Sequence, residues 1–195
     1  MSKSLEFWFD IGSPAAYLAW TQIEKIAEQH GADLAWRPML LGGVFKATGN
    51  RPPAAVVAKG QYMLRDLGRY AALYGVPLQF NPYFPVNTLQ CMRGLAARID
   101  QENFSATLKV LFEGMWVTGK NLADAEVIAA ELDAAGLDGA GFIADSQDAA
   151  IKEKLKSLTE QAVQKGIFGA PSILVGEELF FGQDRLDFVE RALEE

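Results

Sequence analysis

Leu5-Glu6-Phe7-Trp8-Phe9-Asp10-Ile11-Gly12-Ser13-Pro14 is an apolar run that stops abruptly at a small polar residue and a proline. Residues 5–9 are rich in aromatic side chains and too few for a helix, so they read as a buried strand. Gly12 permits a tight exit. Ser13 stands where a helix N-cap belongs, and Pro14 at the first helical position. Helical spacing follows at Ala19, Ile23, Ile26 and Ala27. One hydroxyl is thereby expected at the positive end of a helix, where free backbone N–H groups favour an anion. On these ten residues alone Ser13 is an ordinary cap, a role that stabilises a helix by about 1 kcal/mol. Its further meaning comes from the other end of the chain.

At 195 residues the chain suits one domain, or one domain with a large insertion. Half of it is hydrophobic, 11% aromatic and 22% charged, which supports a packed core and argues against disorder. A net charge of −7 argues against a nucleic-acid partner or an anionic membrane surface. No segment approaches the ~20 apolar residues of a membrane span. The run after Lys3 is too short for a signal peptide, so the cytoplasm is the expected location. The single cysteine, Cys91, excludes an intramolecular disulfide and any CxxC redox centre, and within Leu89-Gln90-Cys91-Met92 it reads as a small buried hydrophobe. The single histidine, His30, sits at a helix end before Gly31. A histidine triad or a multi-histidine metal site is therefore unavailable, and no metal is expected.

Along the chain, Asp33-Leu34-Ala35-Trp36-Arg37 alternates and closes at Pro38, which predicts a second strand and a βαβ unit. Met39 to Lys46 is apolar with paired glycines and runs into Ala47-Thr48-Gly49-Asn50-Arg51-Pro52-Pro53, a loop by composition. From there to about Lys165 the pattern is helical. Helices are predicted over 54–74, with Val57, Gln61, Leu64, Leu67 and Ala71 on one face, from Leu89 to Ile99, and over 104–117, 123–135, 138–144 and 148–165. Pro82-Tyr83-Phe84-Pro85 reads as a turn between the first two. The last segment returns to strands at Ser172-Ile173-Leu174-Val175 and Leu179-Phe180-Phe181, a hairpin across Gly176-Glu177-Glu178. Gly182-Gln183-Asp184 then opens a terminal helix with Leu186, Val189 and Leu193 buried.

The order is β-α-β, a helical block, then β-β-α. That is an α/β thioredoxin fold (βαβ…ββα) with an inserted all-helical domain, divided as residues 1–45 and 166–195 around an insertion at 46–165. Ser13-Pro14-Ala15-Ala16 occupies the strand-to-helix turn where oxidoreductases of this fold place CxxC. Gly169-Ala170-Pro171 stands directly before a strand, the position at which a sheet tolerates proline. A cis Ala170–Pro171 bond facing the Ser13 loop is expected.

The chain resembles the 2-hydroxychromene-2-carboxylate isomerase family, relatives of kappa-class glutathione transferases in the DsbA-like thioredoxin superfamily. The resemblance spans nearly the whole sequence. It rests on Phe9-Asp10-Ile11-Gly12-Ser13-Pro14, on Arg37-Pro38-Met39-Leu40-Leu41-Gly42-Gly43-Val44-Phe45-Lys46, on Thr48-Gly49-Asn50, on Phe84-Pro85-Val86-Asn87-Thr88-Leu89, and on Gly169-Ala170-Pro171 through Phe181-Gly182-Gln183-Asp184-Arg185-Leu186. It implies a glutathione-dependent enzyme in which Ser13 replaces the first catalytic cysteine and stabilises the glutathione thiolate. The Ala170 backbone would pair with the cysteinyl part of glutathione. Phe181, Gly182, Gln183 and Asp184 would form the γ-glutamyl end of the site, and Asn50 would bond glutathione or substrate. Lys46, Asn50, Arg51 and Tyr83 are the implied contacts to a small aromatic carboxylate substrate. For exposed basic residues such as Lys46 and Arg51, a solvated surface role is the alternative, as a plain cap is for Asp184. The implied reaction interconverts 2-hydroxychromene-2-carboxylate and its ring-opened benzylidenepyruvate through addition and loss of the thiolate. A homodimer is also implied. A kappa-like transferase or peroxidase and a non-catalytic thioredoxin-fold binding protein are the competing readings. The second is raised by Ala15-Ala16, where a Tyr-Ser pair often stands in the family.

Overall fold

The centre of the molecule is strand β1 (Ser4–Phe9) in a four-stranded sheet ordered β2-β1-β3-β4. The computed structural model describes residues 3–195. Strand β2 (Asp33–Pro38) runs parallel to β1, and β3 (Ser172–Val175) runs antiparallel on its other side. Strand β4 (Glu178–Phe181) completes the hairpin with β3. Leu5, Phe7, Trp8 and Phe9 are all fully buried, so β1 is covered on both faces. The alternation expected of a strand sorts its side chains. Phe7 and Phe9 meet Trp36 edge-on, and Phe9 also packs near Phe112. On the opposite face Glu6 accepts from the Trp8 indole (3.0 Å) and pairs with Arg37 and Lys165.

Helix α1 (Pro14–His30) starts at Ser13, whose Oγ accepts from the Ala16 N–H at 3.2 Å, and ends at Gly31 in the left-handed region (φ 59°). The apolar positions Ala19, Ile23, Ile26 and Ala27 are buried, as their spacing predicts. Helix α2 (Leu41–Thr48) follows β2. It is joined by α3 (Val57–Tyr74) after a 3-10 turn at Pro53–Ala55, and then by α4 (Leu89–Arg98), α5 (Phe104–Trp116), α6 (Ala125–Ala134), α7 (Gly139–Gln147) and α8 (Ala149–Gln164). The chain closes with a 3-10 turn at Gln183–Arg185 and α9 (Leu186–Glu194), which buries Leu186, Val189 and Leu193. Both bonds Ala170–Pro171 and Phe84–Pro85 are cis, the first as expected from its place before β3. Among the described residues no helix is long and apolar enough to cross a membrane.

Three details differ from the sequence expectation. The segment after β2 is a helix, because its caps come from distant residues. Asp10 Oδ2 accepts from the Leu41 N–H (2.8 Å) and Thr159 Oγ1 from the Leu40 N–H (3.0 Å). Gly43 sits against Thr159 of α8, where a Cβ would lie 3.0 Å from the Thr159 methyl. The stripe on α3 is buried only in its C-terminal half. Leu67 and Ala71 are in the core, whereas Val57 is 71% and Leu64 49% exposed. The terminal helix begins at Leu186, one short 3-10 turn after Gly182.

Two outcomes test this packing. Gly94 of α4 faces the ring of the fully buried Phe142, and any Cβ there would enter that ring. Gly94→Ala should therefore destabilise by about 1–3 kcal/mol through overpacking, read as a lower urea midpoint at unchanged slope. Burial acts to raise the Glu6 pKa, but hydrogen bonds from Trp8 and Arg37 and the charges of Arg37 and Lys165 outweigh it and leave it below 4.5. A depressed folded-state value stabilises above the unfolded value, and that contribution is lost as pH falls through the folded one. The stability gap between wild type and Glu6→Gln should hold at neutral pH and narrow as the pH drops below 4.5.

Candidate active site

The C-terminal end of β1 leads into a four-residue turn whose polar groups are almost all engaged. Asp10 O accepts from the Ser13 N–H (3.0 Å), and Asp10 Oδ1 from the Gly12 N–H (2.9 Å). The Ile11 N–H meets Met92 Sδ (3.4 Å) in α4, and Ile11 O accepts from the Trp116 indole (2.7 Å) in α5. A turn held from this many sides cannot be displaced without breaking buried hydrogen bonds, so Ser13 is fixed in place.

The Ser13 hydroxyl is 6% exposed and donates to Ala170 O at 2.8 Å, across 157 residues of chain. The same oxygen accepts from the Ala16 N–H, which puts it at the positive end of α1. Ala170 lies directly before the cis proline, and among the described residues its N–H meets no acceptor. A peptide strand laid beside Ala170 would supply that acceptor. Ser13 thus stands beside one unpaired main-chain donor and at one helix N-terminus.

Around this pair the structure gathers several of the residues singled out by sequence. The Asn50 amide donates to Phe168 O (2.8 Å), and its oxygen accepts from the Arg51 N–H (2.8 Å), so the 49–51 loop is tied to the Gly169-Ala170-Pro171 strip. Phe181 lies with its ring centroid 4.6 Å from that of Phe168 and packs over Gly169, where a Cβ would fall 2.6 Å from the ring. Gly182 adopts φ 102°, which a side chain rarely permits, and its N–H returns to Pro171 O (3.0 Å). Gln183 is buried, and its carbonyl accepts from the Tyr74 hydroxyl at 2.7 Å. Asp184 pairs with Arg185 at 2.6 Å, so it is not the cap of α9. A crevice of about 400 Å³ opens beside Gln183 and Asp184, with Tyr70, Tyr74 and Lys25 in its wall.

Other candidates stand apart. Lys46, at the last turn of α2, and Arg51 are exposed and have no side-chain partner among the described residues. Tyr83 is 57% exposed on the 81–85 loop. That loop reaches the Ser13 turn only indirectly, through Phe80 and Phe84 packed near Trp116. Tyr74 is no base: burial, then the neighbouring Tyr70 and the carboxylates of Asp184, Asp187 and Glu190, push its phenol up to about 12. Cys91 is fully buried, and its thiol is pushed far up by burial and then by Asp10. It serves packing, as its position in the sequence suggests.

The residue that sequence reasoning passed over is Asp10. Its signal was present, since a carboxylate closing an aromatic strand has to be satisfied somewhere. Its partners, Leu41 and Thr88, lie far away in sequence and give no local cue.

Comparison with known proteins places this geometry. The profile of the DSBA-like thioredoxin domain matches residues 4–194. The chain is 33% identical to 2-hydroxychromene-2-carboxylate isomerase of Sphingobium xenophagum, over 99% of both chains. It is 27% identical to glutathione S-transferase kappa 1 of Rattus norvegicus, over 99% of this chain and 92% of the relative. A solved structure of selenomethionine 2-hydroxychromene-2-carboxylate isomerase superposes with a TM-score of 0.88 at 27% identity, covering 98% of this chain and 94% of the other.

Because Ser13 both caps α1 and bridges to Ala170, Ser13→Ala should cost about 1–2 kcal/mol of stability. Equilibrium unfolding in urea, with wild type alongside, measures it. A loss under a few tenths would show that the bridge adds nothing to the fold.

Proposed function

The chain belongs to the DsbA-like thioredoxin family, in its branch of 2-hydroxychromene-2-carboxylate isomerases and kappa glutathione transferases, and it is an enzyme of the isomerase kind. On that premise we propose that it interconverts 2-hydroxychromene-2-carboxylate and its ring-opened benzylidenepyruvate with glutathione as cofactor. The observation that carries this reading is the Ser13 hydroxyl, buried at the head of α1 and 2.8 Å from Ala170 O.

Bound glutathione supplies a thiolate that adds to an electron-poor carbon of the substrate and leaves unchanged. The residues present suit it. The Ala170 N–H, unpaired among the described residues, and the Ala170 carbonyl are one donor and one acceptor for the cysteinyl backbone. Gln183 and Asp184 border a crevice large enough for the γ-glutamyl end, and Asp184 matches its ammonium group. Ser13 donates its proton in a hydrogen bond and does not attack, because no base lies within reach of its oxygen among its printed contacts. The hydroxyl and the free N–H groups of the first turn of α1 favour the ionised sulfur, as a helix N-terminus does for a cysteine thiol. Lys46 and Arg51 are the free cations closest in sequence to Asn50, and they are assigned to the substrate carboxylate. Asn50 holds their loop to the Ala170 strip.

Resemblance to the rat kappa transferase supports a second reading, in which the same thiolate forms a stable conjugate or reduces a peroxide. The exposed apolar residues Val56, Val57, Tyr62 and Leu64 support assigning this face of α3 to a second copy of the chain. Work in the cytoplasm completes the assignment.

The deciding assay follows chromene carboxylate interconversion with and without glutathione. Activity should require glutathione, and Ser13→Ala should lower kcat by roughly 10²-fold, the usual loss when one donor to a developing anion is removed. Full activity without glutathione would sink the mechanism. Turnover of chlorodinitrobenzene or a hydroperoxide, with none on the chromene, would favour the second reading.

A further inference from the structure

Asp10 is 2% exposed, and among the described residues no cation pairs with it. It is answered instead by the starts of three helices. Oδ1 accepts from the Gly12 N–H (2.9 Å), one residue before the cap of α1. Oδ2 accepts from the Leu41 N–H (2.8 Å), the first residue of α2. The Thr88 hydroxyl, at the cap position of α4, supplies the third hydrogen bond. Three donors converge on two oxygens, an arrangement suited to a carboxylate, which only accepts, and not to a carboxylic acid, whose proton would need an acceptor of its own. Space is tight as well, since a Cβ on Gly12 would lie 3.1 Å from the Thr88 methyl and 3.3 Å from Asp10 Oδ1.

We propose that Asp10 is a positioning residue that locks the Ser13 turn to α2 and α4 and, as a buried anion sharing the positive end of α1, restrains ionisation of a sulfur held at position 13. The two effects have one origin. N–H groups that would otherwise aim their field at an incoming anion are partly committed to Asp10, and its own charge opposes a second negative charge nearby. Burial pulls the Asp10 pKa upward, while the bonds from Gly12, Leu41 and Thr88 pull it back. The other titratable group facing it is the Cys91 thiol of α4, whose pKa Asp10 raises; the same influence is expected at residue 13. A sulfur at Ser13 is therefore held in a fixed place by a group that makes it less acidic than the helix alone would.

The test uses a thiol placed at the site and so does not depend on glutathione. In a Ser13→Cys background the pH dependence of iodoacetamide alkylation gives the ionisation midpoint of the introduced thiol, with Cys91 silent because it is fully buried. Adding Asp10→Asn should lower that midpoint by about 0.5 unit or more, as expected for losing a nearby like charge. Adding Thr88→Val, which removes one donor to the carboxylate and retains the side-chain shape, should lower it by less. Circular dichroism confirms that each variant is folded, and if Asp10→Asn does not fold, Thr88→Val decides alone. A merely structural role would reduce stability and leave the midpoint in place. A midpoint that stays within about 0.2 unit, or rises, overturns the proposal. Failure of glutathione to support turnover would strike the functional reading and leave this measurement standing.

Discussion

Strand β1 has no face open to water, and the layout of the molecule follows from that constraint. Each fully buried apolar side chain on it contributes on the order of 2 kcal/mol, provided both faces are covered. The cover comes from distant parts of the chain: α1 and α9 pack on the sheet, and α4 and α8 pack against β2. The strand therefore ends inside the protein, where its last carbonyls and N–H groups cannot turn to solvent. They are satisfied by Trp116, Met92 and the turn itself, which makes the Ser13 turn rigid. The site is stiff because the core beneath it demands partners for every polar group.

What was legible in the sequence is what is decided locally. Ser13 with Pro14, and Gly31, mark both ends of α1 within a few residues of each other. Gly75, Gly136 and Gly166 mark helix ends in the same way, each at positive φ. The hairpin at Gly176 and the proline before β3 are equally local. What was not legible is decided by residues that meet only on folding. Helix α2 has no capping side chain of its own, because Asp10 and Thr159 cap it from 31 and 119 residues away. The apolar spacing of α3 suggests one continuous buried face, yet nothing in the described chain covers Val57 and Leu64. Periodicity gives the face of a helix and is silent about how much of that face finds a neighbour.

The same division runs through the site. Ser13, Ala170 and Asn50 could be singled out as residues, but the contact between Ser13 and Ala170, and the tie from Asn50 to Phe168, are products of topology. Two turns at opposite ends of the chain are brought together because β1 and β3 are neighbours in the sheet. Phe181 and Gly182 follow from the next strand over, one packing on Gly169 and the other bonded to Pro171. Strand order alone thus carries the C-terminal residues to the Ser13 turn.

In a chain of net charge −7, a site for an anion has to be built against the prevailing field. The structure does this with main-chain dipoles: the first turn of α1, the Ser13 hydroxyl and the Ala170 N–H. Lys46 and Arg51 are exposed, and charges in that position act through water and are screened within about 10 Å at ordinary ionic strength. Buried dipoles are not screened in this way, and they cost no reorganisation when charge appears beside them. The two kinds of electrostatics therefore suit different tasks. Fixed dipoles under a rigid turn suit stabilising a sulfur anion that must form and persist in one place. Mobile surface cations suit drawing in a carboxylate from solution and releasing it afterwards.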